Sequence, residues 1–169
     1  MYKWIHQFGS PKYFYDISFP LSKWAAIICA ICFISGLYGG LVLAPADYQQ
    51  GDSFRIIYLH VPSAWMSLFV YLIIAFSGAA SLIWHIKITD IIARASAPIG
   101  ASFTFIALVT GAIWGKPMWG TYWVWDARLT SELILFFLYV GFMALNQAIP
   151  NWHSANKASA ILLLIGFID

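Results

Sequence analysis

The chain has 169 residues, 62% of them hydrophobic and only 9% charged, with a formal net charge of +2. Soluble domains carry nearer about 25% charged residues, so the composition excludes a soluble globular protein and predicts an all-α fold, a polytopic integral membrane helical bundle. No basic tract offers a footprint to nucleic acid, and a mean hydropathy of +0.77 makes the lipid bilayer the first partner.

Residues 1–20 mix Lys3, Lys12 and Asp16 with Trp4, Phe8, Tyr13, Phe14, Tyr15 and Phe19, a composition suited to a segment lying at a membrane surface. Lys23 then marks the entry to a first spanning helix, about residues 24–43. Within it Cys29 and Cys32 form a C-x-x-C. On a helix these are neighbours on one face, and surrounded by hydrocarbon they are unreactive rather than a redox pair. Gly36 and Gly40 form a G-x-x-x-G suited to close helix packing. Ala44-Pro45-Ala46 looks like a signal-peptidase site, but the run before it is longer than a signal core and further membrane-length runs follow.

Pro45 closes the first helix. A polar and then amphipathic connection, 46–59, leads to His60, and a second helix over about 61–84 begins with Pro62 in its first turn. After the polar link 85–94 a third helix covers about 95–114. A fourth covers about 129–149 and is broken at Pro150. The fifth run, about 158–169, is too short to span hydrocarbon, which takes about 20 residues. The reading is a single transmembrane domain, 1–169, whose last helix is truncated, as in a fragment.

With the N-terminus cytoplasmic, the inner segments hold Lys3, Lys12, Lys23, Lys87, Arg94 and Lys157, against Arg55, Lys116 and Arg128 outside. That excess favours N-inside and places the segment 114–126 on the outer, periplasmic side. The segment, W-G-K-P-M-W-G-T-Y-W-V-W-D, is the densest feature of the chain, with Trp114, Trp119, Trp123 and Trp125 in thirteen residues. Each indole has roughly 150–250 Å² to bury; four exceed the largest exposed apolar patch of a typical monomer, about 300–600 Å². Two crossings separate His60 from this segment, so both emerge on one face whichever way the protein is inserted.

Arg55, His60, Lys116, Asp126 and Arg128 therefore share a face with four tryptophans. Each has a plain reading. The indoles suit an interfacial belt, His60 can sit solvated at headgroup level, and Asp126 can cap the fourth helix. Glu132, in the first turns of that helix, is placed to pair with Arg128 at i, i+4. His6, His85 and His153 read as solvated. Taken together the group suits haem: aromatic faces for a flat macrocycle, a neutral imidazole for its iron, and Arg or Lys for its propionates. No Ser/His/Asp arrangement, metal-ligand cluster or phosphate-cradling loop appears elsewhere, so nothing argues for an enzyme.

Residues 119–126 match the W-G-x-x-W-x-W-D pattern of the tryptophan-rich "WWD" haem-handling membrane proteins. The stretches A-P-A-D-Y-Q-Q-G (44–51), R-I-I-Y-L-H-V-P (55–62), A-P-I-G-A (97–101), F-T-F-I-A-L-V-T-G (103–111) and W-G-K-P-M-W-G-T (114–121) resemble the cytochrome c maturation protein C, or haem exporter protein C, family along the whole chain. The resemblance implies six transmembrane helices, of which this chain covers about four and a half. It implies haem b bound in transit on the periplasmic face of the bacterial inner membrane, between the WWD segment and two histidines. It also implies work with ATP-binding-cassette and small membrane subunits, and delivery to a membrane-anchored periplasmic haem chaperone for c-type cytochrome assembly. His60 matches the first family histidine and iron ligand. Trp114, Trp119, Trp123, Trp125 and Asp126 match the platform, and Arg55, Lys116 and Arg128 are placed for propionates. The second histidine lies beyond Asp169, so weak haem binding is expected of this chain alone. The rival readings are a b-type cytochrome subunit, which needs histidines inside its helices, and a structural membrane subunit with an aromatic belt.

Overall fold

The computed structural model describes residues 10–166; residues 1–9, with Lys3, Trp4, His6 and Phe8, and residues 167–169 lie outside the described residues, as do the side chains of His153 and Ile165. Every long element is helical: α1 (Pro11–Tyr38), α2 (Ile57–Trp84), α3 (Lys87–Trp119), α4 (Ala127–Ala148) and α5 (Trp152–Gly166). The first four are long and apolar enough to cross a membrane. The chain is thus a polytopic helical membrane protein.

α1 starts thirteen residues before the predicted span. Ser10 precedes Pro11, whose fixed φ suits a first turn, and the helix runs through Pro20. Lys12, Asp16 and Lys23 therefore mark a polar end of a continuous helix, not a separate surface segment. At its far end α1 widens into a π turn, Gly39–Leu43, closed by the Ala44 N–H on the Gly39 carbonyl at 2.8 Å, before Pro45 ends it. No residue of α1 is buried; Cys29 and Cys32 are free and exposed on it. Gly40, at the π turn, is where the chain meets the bundle: a Cβ there would fall 2.7 Å from the Tyr58 side chain.

The connection to α2 is a compact turn. The Asp47 carboxylate accepts from the N–H groups of Gln49 (2.9 Å) and Gln50 (2.8 Å), and Gly51 takes φ +59°. A 3-10 turn, Asp52–Ile56, feeds straight into α2. His60 consequently lies in the first turn of α2 rather than ahead of it.

α2 to α5 make the bundle. Its core is Ile74, Ala97, Tyr139 and Leu163, all fully buried. Gly100 lets Tyr139 lie flat on α3, and the Tyr139 hydroxyl donates to the Ser67 carbonyl at 2.7 Å. Tyr71 stands edge-on to Tyr139 and donates to the Leu163 carbonyl at 2.8 Å. The predicted Arg128–Glu132 pair does not form. The Ser67 hydroxyl donates to Glu132 at 2.9 Å, while the guanidinium of Arg128 turns back to Asp126 at 3.0 Å. A partner across the helix interface saves Glu132 from facing lipid unpaired. α3 ends at Gly120 (φ +75°), later than expected, so half of the tryptophan segment is helical. α5 begins at Trp152, with the Asn151 side chain accepting from the Ser154 N–H at 3.0 Å.

Candidate functional site

The first turn of α2, the last turns of α3 and the start of α4 enclose a cleft of about 340 Å³. His60, Trp114, Trp119, Asp126 and Arg128 line it, with Gln50, Met118 and Leu129. Two glycines make it possible. A Cβ on Gly111 would sit 3.0 Å from the His60 ring, and one on Gly115 would sit 3.0 Å from the Trp119 ring. One turn apart on α3, they let an imidazole and an indole lie against the helix backbone.

His60 is held through one nitrogen. Nδ1 lies 3.1 Å from the Ala107 carbonyl and 3.1 Å from the Thr110 hydroxyl. The Thr110 hydroxyl donates to the Ile106 carbonyl at 2.6 Å. A carbonyl only accepts, so in the neutral ring the proton belongs on Nδ1. Nε2 then keeps its lone pair, and among the described residues nothing hydrogen-bonds to it. This is how ligating histidines are commonly oriented, with one nitrogen tied to a carbonyl and the other left to the metal. Trp114 stands edge-on to His60, with ring centroids 5.7 Å apart. Its N–H donates to the Gln50 side chain at 3.0 Å, which pins the indole to the turn before α2. Gln50→Leu removes that acceptor, and the expected result is a loss of about 0.5–1.5 kcal/mol in stability, with a changed Trp emission spectrum. An unchanged spectrum and melting temperature contradict this role.

Beyond Gly120 the backbone turns and displays the rest of the motif. Trp123 and Trp125 stack edge-on at 5.3 Å, and Trp125 is 76% exposed. Neither lines the cleft; they form a shelf beside it. The Trp123 indole nitrogen is enclosed without a partner. Trp119, 51% exposed, faces the cleft with the Arg128 guanidinium 5.7 Å from its ring centroid.

Asp126 caps α4: one carboxylate oxygen accepts from the Leu129 N–H at 2.8 Å and the other from Arg128 at 3.0 Å. These bonds, the backbone one foremost, hold its carboxyl below the usual carboxylate range. Its stabilising contribution is therefore complete above the ordinary carboxylate pKa and is lost as pH falls through the depressed folded value. On acidification the wild type should lose more thermal stability than Asp126→Asn, which keeps a capping oxygen without the titrating charge. A stability difference independent of pH contradicts the assignment.

The remaining two candidates lie away from the cleft. Arg55 donates to the Leu41 carbonyl at 3.2 Å and pairs with Asp52 at 3.4 Å, tying α1 to the turn before α2. Lys116 donates to the Gly120 carbonyl at 3.0 Å and reaches over the Tyr122 ring. Sequence reasoning passed over Gln50, Ala107, Thr110, Gly111 and Met118. The spacing Gly111-x-x-x-Gly115 carries a legible signal of close approach on α3; the other contacts cross between elements and leave none.

A family model described as "Heme exporter protein C" matches residues 4–169. "Heme exporter protein C" of Escherichia coli strain K12 is 51% identical over 169 residues, all of this chain and 69% of that protein. The protein of the same name from Haemophilus influenzae is 51% identical over 164 residues, 97% of this chain and 67% of its own length. That from Bradyrhizobium diazoefficiens is 47% identical over 161 residues, 95% of this chain and 61% of its own.

Proposed function

The chain belongs to the Heme exporter protein C family, and from that premise we propose that it binds haem at the cleft between α2 and α3 and takes part in haem export for c-type cytochrome biogenesis. It is a transport component, not an enzyme. Its place is the bacterial inner membrane, with the N-terminus cytoplasmic and the tryptophan shelf periplasmic. Its partners are the ATP-binding-cassette and small membrane subunits of the maturation system and a membrane-anchored haem chaperone, to which the haem b is passed.

The observation that carries this reading is the tethered imidazole: His60 lines the cleft with Nδ1 3.1 Å from the Ala107 carbonyl, an acceptor that favours the proton on Nδ1 and a free lone pair on Nε2. Among the described residues no three His, Cys, Asp or Glu side chains gather to hold a bare metal ion. An iron that arrives within its own macrocycle needs only an axial ligand from the protein, and one histidine supplies it. The donor set thus fits haem. The cleft volume lies in the range of small-molecule sites, about 300–1,000 Å³, and it opens beside exposed indoles that a flat apolar ring would cover. In this arrangement His60 binds the iron, Trp114 and Trp119 bear on the ring, Arg128 meets a propionate, and Asp126 holds Arg128 and the start of α4 in place. Trp125 and Trp123 extend the apolar surface beyond the cleft. A b-type cytochrome subunit would take its ligands from histidines inside its spanning helices; among the described residues His60 lies in the first turn of α2 and His85 at its end.

Purified in detergent from haem-replete cells, the protein should carry a Soret band that intensifies when haemin is added. Protein that stays colourless and binds no added haemin contradicts the proposal.

A further inference from the structure

The end of the bundle opposite His60 carries a second constellation that the cleft does not use. His60 and His85 stand at the two ends of α2, a separation of roughly 37 Å at 1.5 Å per residue. At the far end, where α2 stops and α3 and α5 begin, lies a cleft of about 380 Å³ lined by Ser81, His85, Lys87, Asp90, Ile91 and Trp152, with Pro11 of α1 at its edge. A side pocket of about 140 Å³ shares Ser81 and His85 and is completed by Asn156 and Lys157. We infer that this paired cleft is a binding site for an apolar molecule that bears a carboxylate or phosphate, held by Lys87 and Lys157 with its body against Trp152.

Four observations support the assignment. The basic groups outnumber the acid: the one carboxylate, Asp90, already accepts from Ser81 at 2.5 Å, whereas the lysines bring two positive charges to the rim. The floor is pre-set. Arg94 donates twice to the Asn156 side-chain oxygen, at 3.0 and 2.7 Å, and stacks over Trp152 at 3.5 Å from the ring centroid. One face of that indole is thereby fixed by a cation, while the residue stays 53% exposed. With its oxygen held by Arg94, Asn156 turns its amide NH2 into an enclosed position with no acceptor. A buried donor left unpaired is costly unless a ligand or water supplies the acceptor. Last, His85 is the one non-glycine residue with positive φ (54°) among the described residues, and it stands where the two cavities meet. That conformation is the left-handed cap of α2, its N–H donating to the Ser81 carbonyl at 2.9 Å, and it fixes the backbone at the mouth the two cavities share.

One chemistry, an anion on an apolar body, has two sources here: the carboxylates of a macrocycle or the phosphate of an anionic lipid. The assignment stands apart from the His60 reading, and its test is made in a His60→Ala, Trp119→Ala background so that the two can fail separately. Iron-free protoporphyrin IX and its dimethyl ester are titrated against tryptophan fluorescence in the 169-residue chain, with the pair Lys87→Met, Lys157→Met compared with the pair Lys87→Arg, Lys157→Arg. In parallel, native mass spectrometry records phosphatidylglycerol retained from mixed phosphatidylcholine–phosphatidylglycerol nanodiscs. For a carboxylate ligand, the free acid binds about tenfold more tightly than the ester, the Met pair abolishes that advantage and the Arg pair keeps it. For a phosphate ligand, phosphatidylglycerol stays with the parent and the Arg pair and is lost from the Met pair. Either result supports the site. Trp152→Leu, which keeps both lysines, should weaken whichever probe binds and guards against misfolding of the Met pair. If neither probe responds to the lysine pairs or to Trp152→Leu, the inference is overturned.

Discussion

His60→Ala should remove the haem absorbance of the purified protein, or weaken haemin affinity by more than about 100-fold. Loss of groups that merely orient a metal ligand costs about 10–100-fold, and here the ligand itself is removed. The effect should be specific, because His60 is a half-buried residue whose side chain, among the described residues, hydrogen-bonds through Nδ1 alone. Truncation to alanine leaves the Ala107 carbonyl bonded within α3 and the bundle core untouched, so the melting temperature of the haem-free protein should move little. Trp119→Ala, which shortens the platform and keeps the imidazole, should weaken binding without shifting the Soret maximum. A His60→Ala protein with the wild-type Soret position and intensity would show that the iron is held elsewhere.

Gly100→Ala should be the most destabilising single methyl addition in the bundle. The new Cβ would land on the ring of Tyr139, which is fully buried and anchored to the Ser67 carbonyl. The ring has nowhere to go: Tyr71 stands edge-on to it at 5.8 Å. Overpacking of this kind costs about 1–3 kcal/mol, a fall in melting temperature of roughly 2–4 °C per kcal/mol for a chain of this size. Gly100→Ala with Tyr139→Leu should lose much less than the sum of the two single changes, since the smaller side chain makes room for the methyl. Strict additivity would mean that the two residues do not share space. Gly100 lies about three turns below Gly111, so the double variant should keep its haemin affinity.

The helical class and the spans follow from composition and run length, and parity alone brings position 60 and the tryptophan segment to one face. His60 and Trp114 do stand edge-on in the structure. Boundaries were harder to read. Lys12 and Asp16 interrupt hydrophobicity without interrupting hydrogen bonding, so α1 begins at Pro11 and not near residue 24. The i, i+4 spacing of Arg128 and Glu132 suggests a pair that the fold declines. Asp126, fixed as a cap, offers Arg128 a nearer carboxylate, and Ser67, 65 residues away in sequence, reaches Glu132. Gln50 escaped notice for the same reason: its bond to Trp114 joins residues 64 apart. The tryptophan segment reads as one unit in sequence, yet the left-handed turn at Gly120 divides it into a helical half facing the cleft and a displayed half beside it.

The measurement that bears most directly on the tethered imidazole is rescue of His60→Gly by free imidazole. Without it the variant should bind haemin weakly and lack the wild-type Soret maximum; millimolar imidazole should restore both, because the freed space beside Ala107 and Gly111 admits the small ring and its nitrogen replaces Nε2. Unchanged binding in the His60→Gly variant, with imidazole making no difference, would contradict the account.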